Sequence, residues 1–378
     1  VTPRPPHPAE DAATAVELIT RRVRRTAAEA ADRFPLYADP VTGRWTTTRR
    51  GSWTAGFWAG LLWLTASRTG DPHDRRRAAA CTARLRERAA DDTDTRAFAF
   101  WYGAAAHGHL LCGDDEAAAV ARHGAEALAA AWRPREGFVP AGTALGRGPE
   151  GAATLSVDTA GAVVALLSWA CANGGRPEWG TYAVRHSAAV LEHCLEDDGA
   201  VRPAAGPGPA AGRPPAGRWP RGQAWGLLGL AVAAGLAPEP VRRDLRAGAG
   251  RAADWWLERT GGGVPPRDFA DPDGPRDTSA AAIAAEALLL LAATGPAEAG
   301  RTHRAAAHRL LHLLTTRHLT PDAGPEGPPA GMLLDGCYDL QSGTAVAHEL
   351  IWGDYFLLSA LLRAMPQKTS TGVSGPGA

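Results

Sequence analysis

Apolar and polar positions alternate along this chain in blocks rather than residue by residue. Six stretches, 53–69, 95–112, 157–172, 219–234, 278–293 and 349–365, are small or apolar on nearly every face. They take turns with six stretches that carry a charged stripe at helical spacing: 9–34, 72–90, 116–132, 177–196, 238–258 and 297–317. The period is helical throughout. Only Thr46, Thr47 and Thr48, inside the loop 37–50, suggest some extended backbone. A helix that is apolar all round must be covered on both sides. Six such helices inside six amphipathic ones satisfy that demand, which predicts an all-α fold, an (α/α)6 barrel of six inner and six outer helices. An α-solenoid would have more uniform repeats than the roughly 40 to 70 residues between inner-helix starts, and would leave one face of the array polar. The expected organisation is a single barrel domain over 9–365. The Pro-rich start, 1–8, and the Ser/Gly/Thr-rich tail, 366–378, read as disordered.

In a closed ring of parallel inner helices the N-termini meet at one mouth. Trp53, the Asp94-Thr95 pair, Asp158, Arg221, Asp277 and Glu349 stand at those starts. The centre of interest is L-S-V-D-T-A-G at 155–161, where one carboxylate opens an otherwise apolar helix. Capping logic makes Ser156 or Asp158 its N-cap. Convergence of the helix starts would instead put Asp158 in a cavity, and the residues alone leave both readings open. By the same logic Asp277 is expected to cap its helix and to pair with Arg276, and Glu349 and Asp354 to be structural.

Composition narrows the partners. The chain has 378 residues, 45% hydrophobic and 21% charged, with 40 basic and 40 acidic side chains, so no basic field invites nucleic acid or an anionic membrane. Five scattered cysteines (Cys81, Cys112, Cys171, Cys194, Cys337) form no C-x-x-C pair and read as reduced core residues. No metal-ligand cluster, Gly-rich phosphate cradle or Ser-His-Asp pattern is present, so neither metal nor cofactor is expected. No apolar stretch reaches about 18 residues without a polar break, and the start lacks a signal-peptide pattern. A cytoplasmic protein acting on a small-molecule substrate, sugar-like or natural-product-like, is expected; the sequence does not set an oligomeric state.

Five segments, in order across roughly residues 50 to 360, resemble glycoside hydrolase family 88, the unsaturated glucuronyl hydrolases. They are W-T-A-G-F-W at 53–58, S-V-D at 156–158, W-P-R-G-Q-A-W at 219–225, R-D-T-S-A-A-A-I at 276–283 and E-L-I-W-G-D-Y-F at 349–356. The fold of that family is the barrel derived above. The resemblance implies an enzyme that acts on sugars bearing a C4=C5 double bond. An aspartate protonates C4, water adds at C5, and the resulting hemiketal opens and releases the aglycone, which differs from two-carboxylate displacement at the anomeric carbon. Asp158 matches the family's acid/base aspartate. Arg221 matches an arginine expected to touch the sugar or its carboxylate. Trp53 and Trp225 would wall a sugar ring, or would be ordinary core tryptophans.

The chain also departs from the family. The family's second aspartate lies in a stretch like H-D-[LI]-G-F-[LM]-F, which here reads D-T-R-A-F-A-F at 94–100. Aligning on the two phenylalanines, Phe98 and Phe100, puts Thr95 at the aspartate and Asp94 at the histidine, so either residue is a candidate. Pro203 stands where the family has a histidine and Gly142 where it has a tryptophan, and a family glutamine has no counterpart in the loop 206–217. Three readings follow: hydration of an unsaturated uronyl sugar by Asp158, with Asp94 as the second carboxylate; a relative turned to another alkene or enol ether as hydratase, isomerase or cyclase; and a barrel that only binds a ligand.

Overall fold

The computed structural model describes residues 8–206, 215–324 and 327–366. Twelve α-helices alternate in character as the apolar blocks predict. The outer ones are α1 (Pro8–Ala30), α3 (Pro72–Arg84), α5 (Asp115–Ala130), α7 (Glu178–Cys194), α9 (Val241–Thr260) and α11 (Ala297–Leu313). The inner ones are α2 (Ala55–Thr69), α4 (Arg96–Phe100), α6 (Ala160–Ala172), α8 (Pro220–Leu236), α10 (Thr278–Thr294) and α12 (Ile351–Ala364), and α4 runs on as a π-helix over Trp101–Leu111. Each inner helix packs on the next, α2 on α4, then α6, α8, α10 and α12, and α12 packs back on α2. The ring is therefore closed, and the outer helices seat against it: α5 touches α4 and α6, α7 touches α6 and α8, and α1 touches α12 and α2. This is the (α/α)6 barrel. Close approach needs glycine at Gly56, where a Cβ would lie 2.0 Å from the Phe98 carbonyl oxygen. That contact brings the start of α2 against the start of α4.

Small strands depart from the all-helical reading. β1 (Phe34–Ala38) pairs antiparallel with β2 (Trp45–Thr48) and β5 (Glu349–Leu350), and β3 (Leu155–Ser156) pairs antiparallel with β4 (Ala204–Ala205). The helix expected to reach residue 34 ends at Ala30, because Ala31 turns left-handed (φ 49°) and Pro35 biases Phe34 to extended backbone. Residues 349–350 likewise belong to a strand, and the last inner helix begins at Ile351. Pro8, grouped above with the disordered start, opens α1. Residues 1–7 and 367–378, and with them nearly all of both stretches expected to be disordered, lie outside the described residues, as do residues 207–214 of the shortened loop.

The connections are unequal at the two ends. Links from inner to outer helix are short, two residues between α2 and α3 and two between α10 and α11. Links from outer to inner helix are long, such as the 29 residues between Ala130 and Ala160. Every long connection returns to the end where the inner helices start, so that end is where the fold can build a site.

Candidate active site

None of the six inner helices has a side-chain cap, whereas outer helices α3 and α5 are capped by Asp71 and Asp114. Six positive helix ends thus converge on the mouth without local carboxylate caps, an environment that favours negative charge. The N-cap position of α6 is Thr159, not Ser156 or Asp158. Its hydroxyl is turned away from its own helix and donates to Asp94 Oδ2 at 2.7 Å. The capping reading of Asp158 is therefore wrong.

A cavity of about 320 Å³ opens at the mouth. Six residues singled out from the sequence line it: Trp53, Thr95, Phe98, Asp158, Arg221 and Trp225. Ser52, Leu145, Arg147 and Tyr338, none of them singled out, line it as well, together with Trp219 from the W-P-R-G-Q-A-W segment. Leu145, Arg147 and Tyr338 sit in long outer-to-inner connections, where no periodicity marks them. Their only sequence signal is topological: such connections all end at the mouth.

Asp158 is positioned by the short ladder before α6. Leu155 and Ser156 pair with Ala205 and Ala204, and the Val157 amide donates to the Pro203 carbonyl at 3.0 Å. The chain then turns through Asp158 into α6. The Asp158 side chain is partly exposed to the cavity, yet Oδ1 is buried and accepts no hydrogen bond. Burial pushes its pKa up to about 6; Arg147 opposes this, and the nearby Asp94 carboxylate adds to it. Such a group can be protonated before reaction and can take the proton back afterwards.

Asp94 stands behind the cavity wall. Its side chain is 1% exposed, Oδ2 holds the Thr159 hydroxyl, and Oδ1 is 3.4 Å from Arg147 Nη1. Burial raises its pKa, opposed by Arg147, the Thr159 hydrogen bond and Arg96. Thr95, its rival in the alignment, reaches the cavity itself, and its hydroxyl lies 3.1 Å from that of Thr93. The two neighbours thus do different things, as side chains about 100° apart around a helix start must.

Arg221 is buried and fully engaged. Nη1 pairs with the Asp277 carboxylate and donates to the Cys337 carbonyl at 2.7 Å, Nη2 donates to the Tyr338 carbonyl at 3.1 Å, and the guanidinium lies over Trp219 and Trp352. Asp277 therefore pairs with Arg221 and not with Arg276. It occupies the N-cap position of α10, but its other oxygen accepts from the Ser279 hydroxyl at 2.6 Å rather than from a helix amide. Trp53 donates its indole N–H to Tyr338 Oη at 3.2 Å and stacks on that ring. Trp225 packs on Phe98 and Phe356, so both tryptophans are core residues with one edge on the cavity. Glu349 takes Arg22 in a buried ion pair and does not line the cavity.

No protein-family model matches the chain. Over 355 residues it is 30% identical to the unsaturated glucuronyl hydrolase of Bacillus sp. (strain GL1), covering 88% of this chain and 91% of that protein. It belongs to the unsaturated glucuronyl hydrolase family, glycoside hydrolase family 88. Another relative, the unsaturated chondroitin disaccharide hydrolase of Streptococcus pyogenes serotype M1, is 28% identical over 382 residues, 94% of this chain and 91% of that one. The crystal structure of the Bacillus sp. GL1 unsaturated glucuronyl hydrolase superposes with a TM-score of 0.81 at 28% identity, over 94% of this chain and 96% of the other. Within the family this glucuronyl hydrolase relative has an unusual wall at Gly142. Its φ is +78°, and a Cβ there would lie 2.3 Å from the Asp92 carbonyl oxygen, so a tryptophan cannot be accommodated on this backbone.

Proposed function

We propose that the protein hydrates the C4=C5 enol ether of an unsaturated uronyl sugar, with Asp158 as the acid. The observation that carries this reading is the buried, unbonded Oδ1 of Asp158 on the wall of a cavity inside a family-88 barrel. Protonated Asp158 gives its proton to C4, and positive charge develops at C5, shared with the ring oxygen. Water adds at C5 and returns a proton to the Asp158 carboxylate. The C5 hemiketal opens by breaking its bond to the ring oxygen, which leaves a ketone at C5 and a hemiacetal at C1 that expels the aglycone. One water is consumed and the acid is regenerated. Asp94, held ionised by Arg147 and Thr159, is the fixed negative charge that keeps the Asp158 pKa high and favours the cation at C5. Trp53, Thr95, Phe98, Arg221 and Trp225 shape the ring pocket.

The departures at Gly142 and Pro203 bear on which aglycone is accepted. Each lost polar contact is worth roughly 1.5–3 kcal/mol, so ordinary unsaturated chondroitin, hyaluronan and heparin disaccharides should be turned over 10² to 10⁴ less efficiently, at order of magnitude, than the true substrate. A natural-product aglycone in place of a second sugar fits the same observation. The test is loss of the conjugated enol-ether absorbance across a panel of unsaturated uronyl glycosides, with Asp158→Asn as the blank. No loss for any of them would refute the reading. No helix among the described residues is long and apolar enough to cross a membrane, and all five cysteines are free thiols, which supports action in a reducing, cytoplasmic setting.

A further inference from the structure

An unsaturated uronyl sugar carries its carboxylate on C5, one bond from the carbon that Asp158 must protonate. Whatever cation holds that carboxylate has to stand close to Asp158. Arg221 cannot supply the free charge, because Asp277 already neutralises it and two backbone carbonyls occupy its N–H groups. Arg147 lines the same cavity and is placed differently. Its side chain is 27% exposed, and its one ion pair, to Asp94, stands at 3.4 Å without a hydrogen bond, since Asp94 Oδ1 remains unbonded. The guanidinium fork is thus free to meet a carboxylate with two parallel bonds. The loop that carries it is pinned at its shoulders: the Ala144 amide donates to the Asp92 carbonyl at 3.0 Å, and the Gly142 amide to the Gly151 carbonyl at 3.0 Å. Arg147 also exerts the largest pull of any charge on Asp158.

We propose that Arg147, rather than Arg221, reads the substrate's carboxylate and sets the specificity of the site for acidic sugars. This rests on the function proposed above. Bound there, the carboxylate would lie between Arg147 and the positive helix ends of the mouth, with C4 directed at Asp158. Arg221 then serves as a rigid floor, tying the α8 and α10 starts to the loop 335–348.

The experiment uses Asp158→Asn protein, which binds without turnover, and two probes: an unsaturated glucuronyl disaccharide and its methyl ester, titrated by calorimetry at pH 5. The Asp158→Asn protein should bind the acid about 10- to 100-fold more tightly than the ester. Adding Arg147→Ala should abolish that difference, and adding Arg147→Lys should leave part of it. Thermal unfolding of each variant confirms that it is folded, since Arg147 sits partly exposed in a loop. If the Arg147→Ala variant still prefers the acid as before while the otherwise unaltered protein consumes it, this inference falls and the proposed function stands. If the unaltered protein consumes no unsaturated uronyl sugar, both fall.

Discussion

Asp94 and Asp158 begin as the same local event. Each is an aspartate followed by a threonine that occupies the N-cap position of an inner helix, α4 in one case and its neighbour α6 in the other. Their surroundings then diverge. Asp94 is sealed behind the wall, with one oxygen on the Thr159 hydroxyl and the other facing Arg147. Asp158 opens on the cavity and keeps a buried oxygen with no partner. The threonine next to Asp158 fastens Asp94, and no group performs that service for Asp158. A repeated dipeptide has become a fixed charge in one repeat and an exchangeable proton in the next. Identity of residue and place in the repeat do not decide the role; the hydrogen-bond partner from the adjacent repeat does.

Removing the exchangeable proton should have the largest effect. Asp158→Asn should lower turnover by at least about 100-fold, the scale of a positioned acid, with the fold intact. Its stability should change in the opposite direction. An acid whose folded pKa lies above its unfolded value weakens the fold as pH rises, from about pH 4 and fully above about pH 6. The Asn variant should therefore match the unaltered protein below about pH 4 and exceed it at pH 8 by on the order of 2 kcal/mol, allowing for partial exposure. Denaturant unfolding at the two pH values checks this, and a variant that is less stable at pH 8 would mean Asp158 has a partner after all.

Removing the fixed charge comes next. Asp94→Asn should reduce turnover about 10- to 100-fold and move the alkaline limb of the pH–rate profile to lower pH, because Asp158 loses a like-charge neighbour. In the unaltered protein that limb should fall from about pH 6 upward, as the acid form is depleted. An unmoved limb in Asp94→Asn would break the contrast between the two carboxylates.

Thr159→Val attacks the link between them. It leaves Asp94 Oδ2 without its donor, so Asp94 should titrate at higher pH and the protein should lose about 1–3 kcal/mol, measured by denaturant unfolding at pH 7. The smallest effect belongs to Thr95→Val. The Thr95 hydroxyl meets only Thr93, so steady-state turnover should change by less than about tenfold. A loss as large as that of Asp94→Asn would transfer the supporting role to Thr95.

The barrel was legible because an all-round apolar helix has few ways to be buried, and twelve alternating blocks leave little choice. The positions of Trp53, Phe98, Asp158, Arg221 and Trp225 on one cavity followed from helix starts meeting in a closed ring, supported by the family segments. What a linear reading could not resolve is direction. Asp94 and Thr95 are neighbours, and only the packing of α4 on α6 tells which one meets Thr159 and which one meets the cavity. Arg147 and Tyr338 were out of reach for a different reason: long irregular connections carry no period, so their side chains can be placed only once the loops are folded. The Arg221–Asp277 pair joins residues 56 apart in the chain, and local capping logic pointed to the adjacent Arg276 instead.

Beneath the cavity the barrel axis is filled. Phe98 and Trp225 pack on Phe57, Tyr102 and Phe356, and Tyr102 leads to Tyr355, whose hydroxyl meets His107 Nε2 at 2.6 Å on the wall of a separate hollow at the opposite end. The two openings do not communicate, and the mouth is a blind alley. A chain cannot be threaded through it, so only a terminal ring can reach Asp158, and the remainder of the molecule must stay outside. The released aglycone can leave directly into solvent, but the opened uronate sits deeper and must back out by the path it entered. Traffic through a single door orders the two departures: the outer fragment goes first, and the inner one goes last.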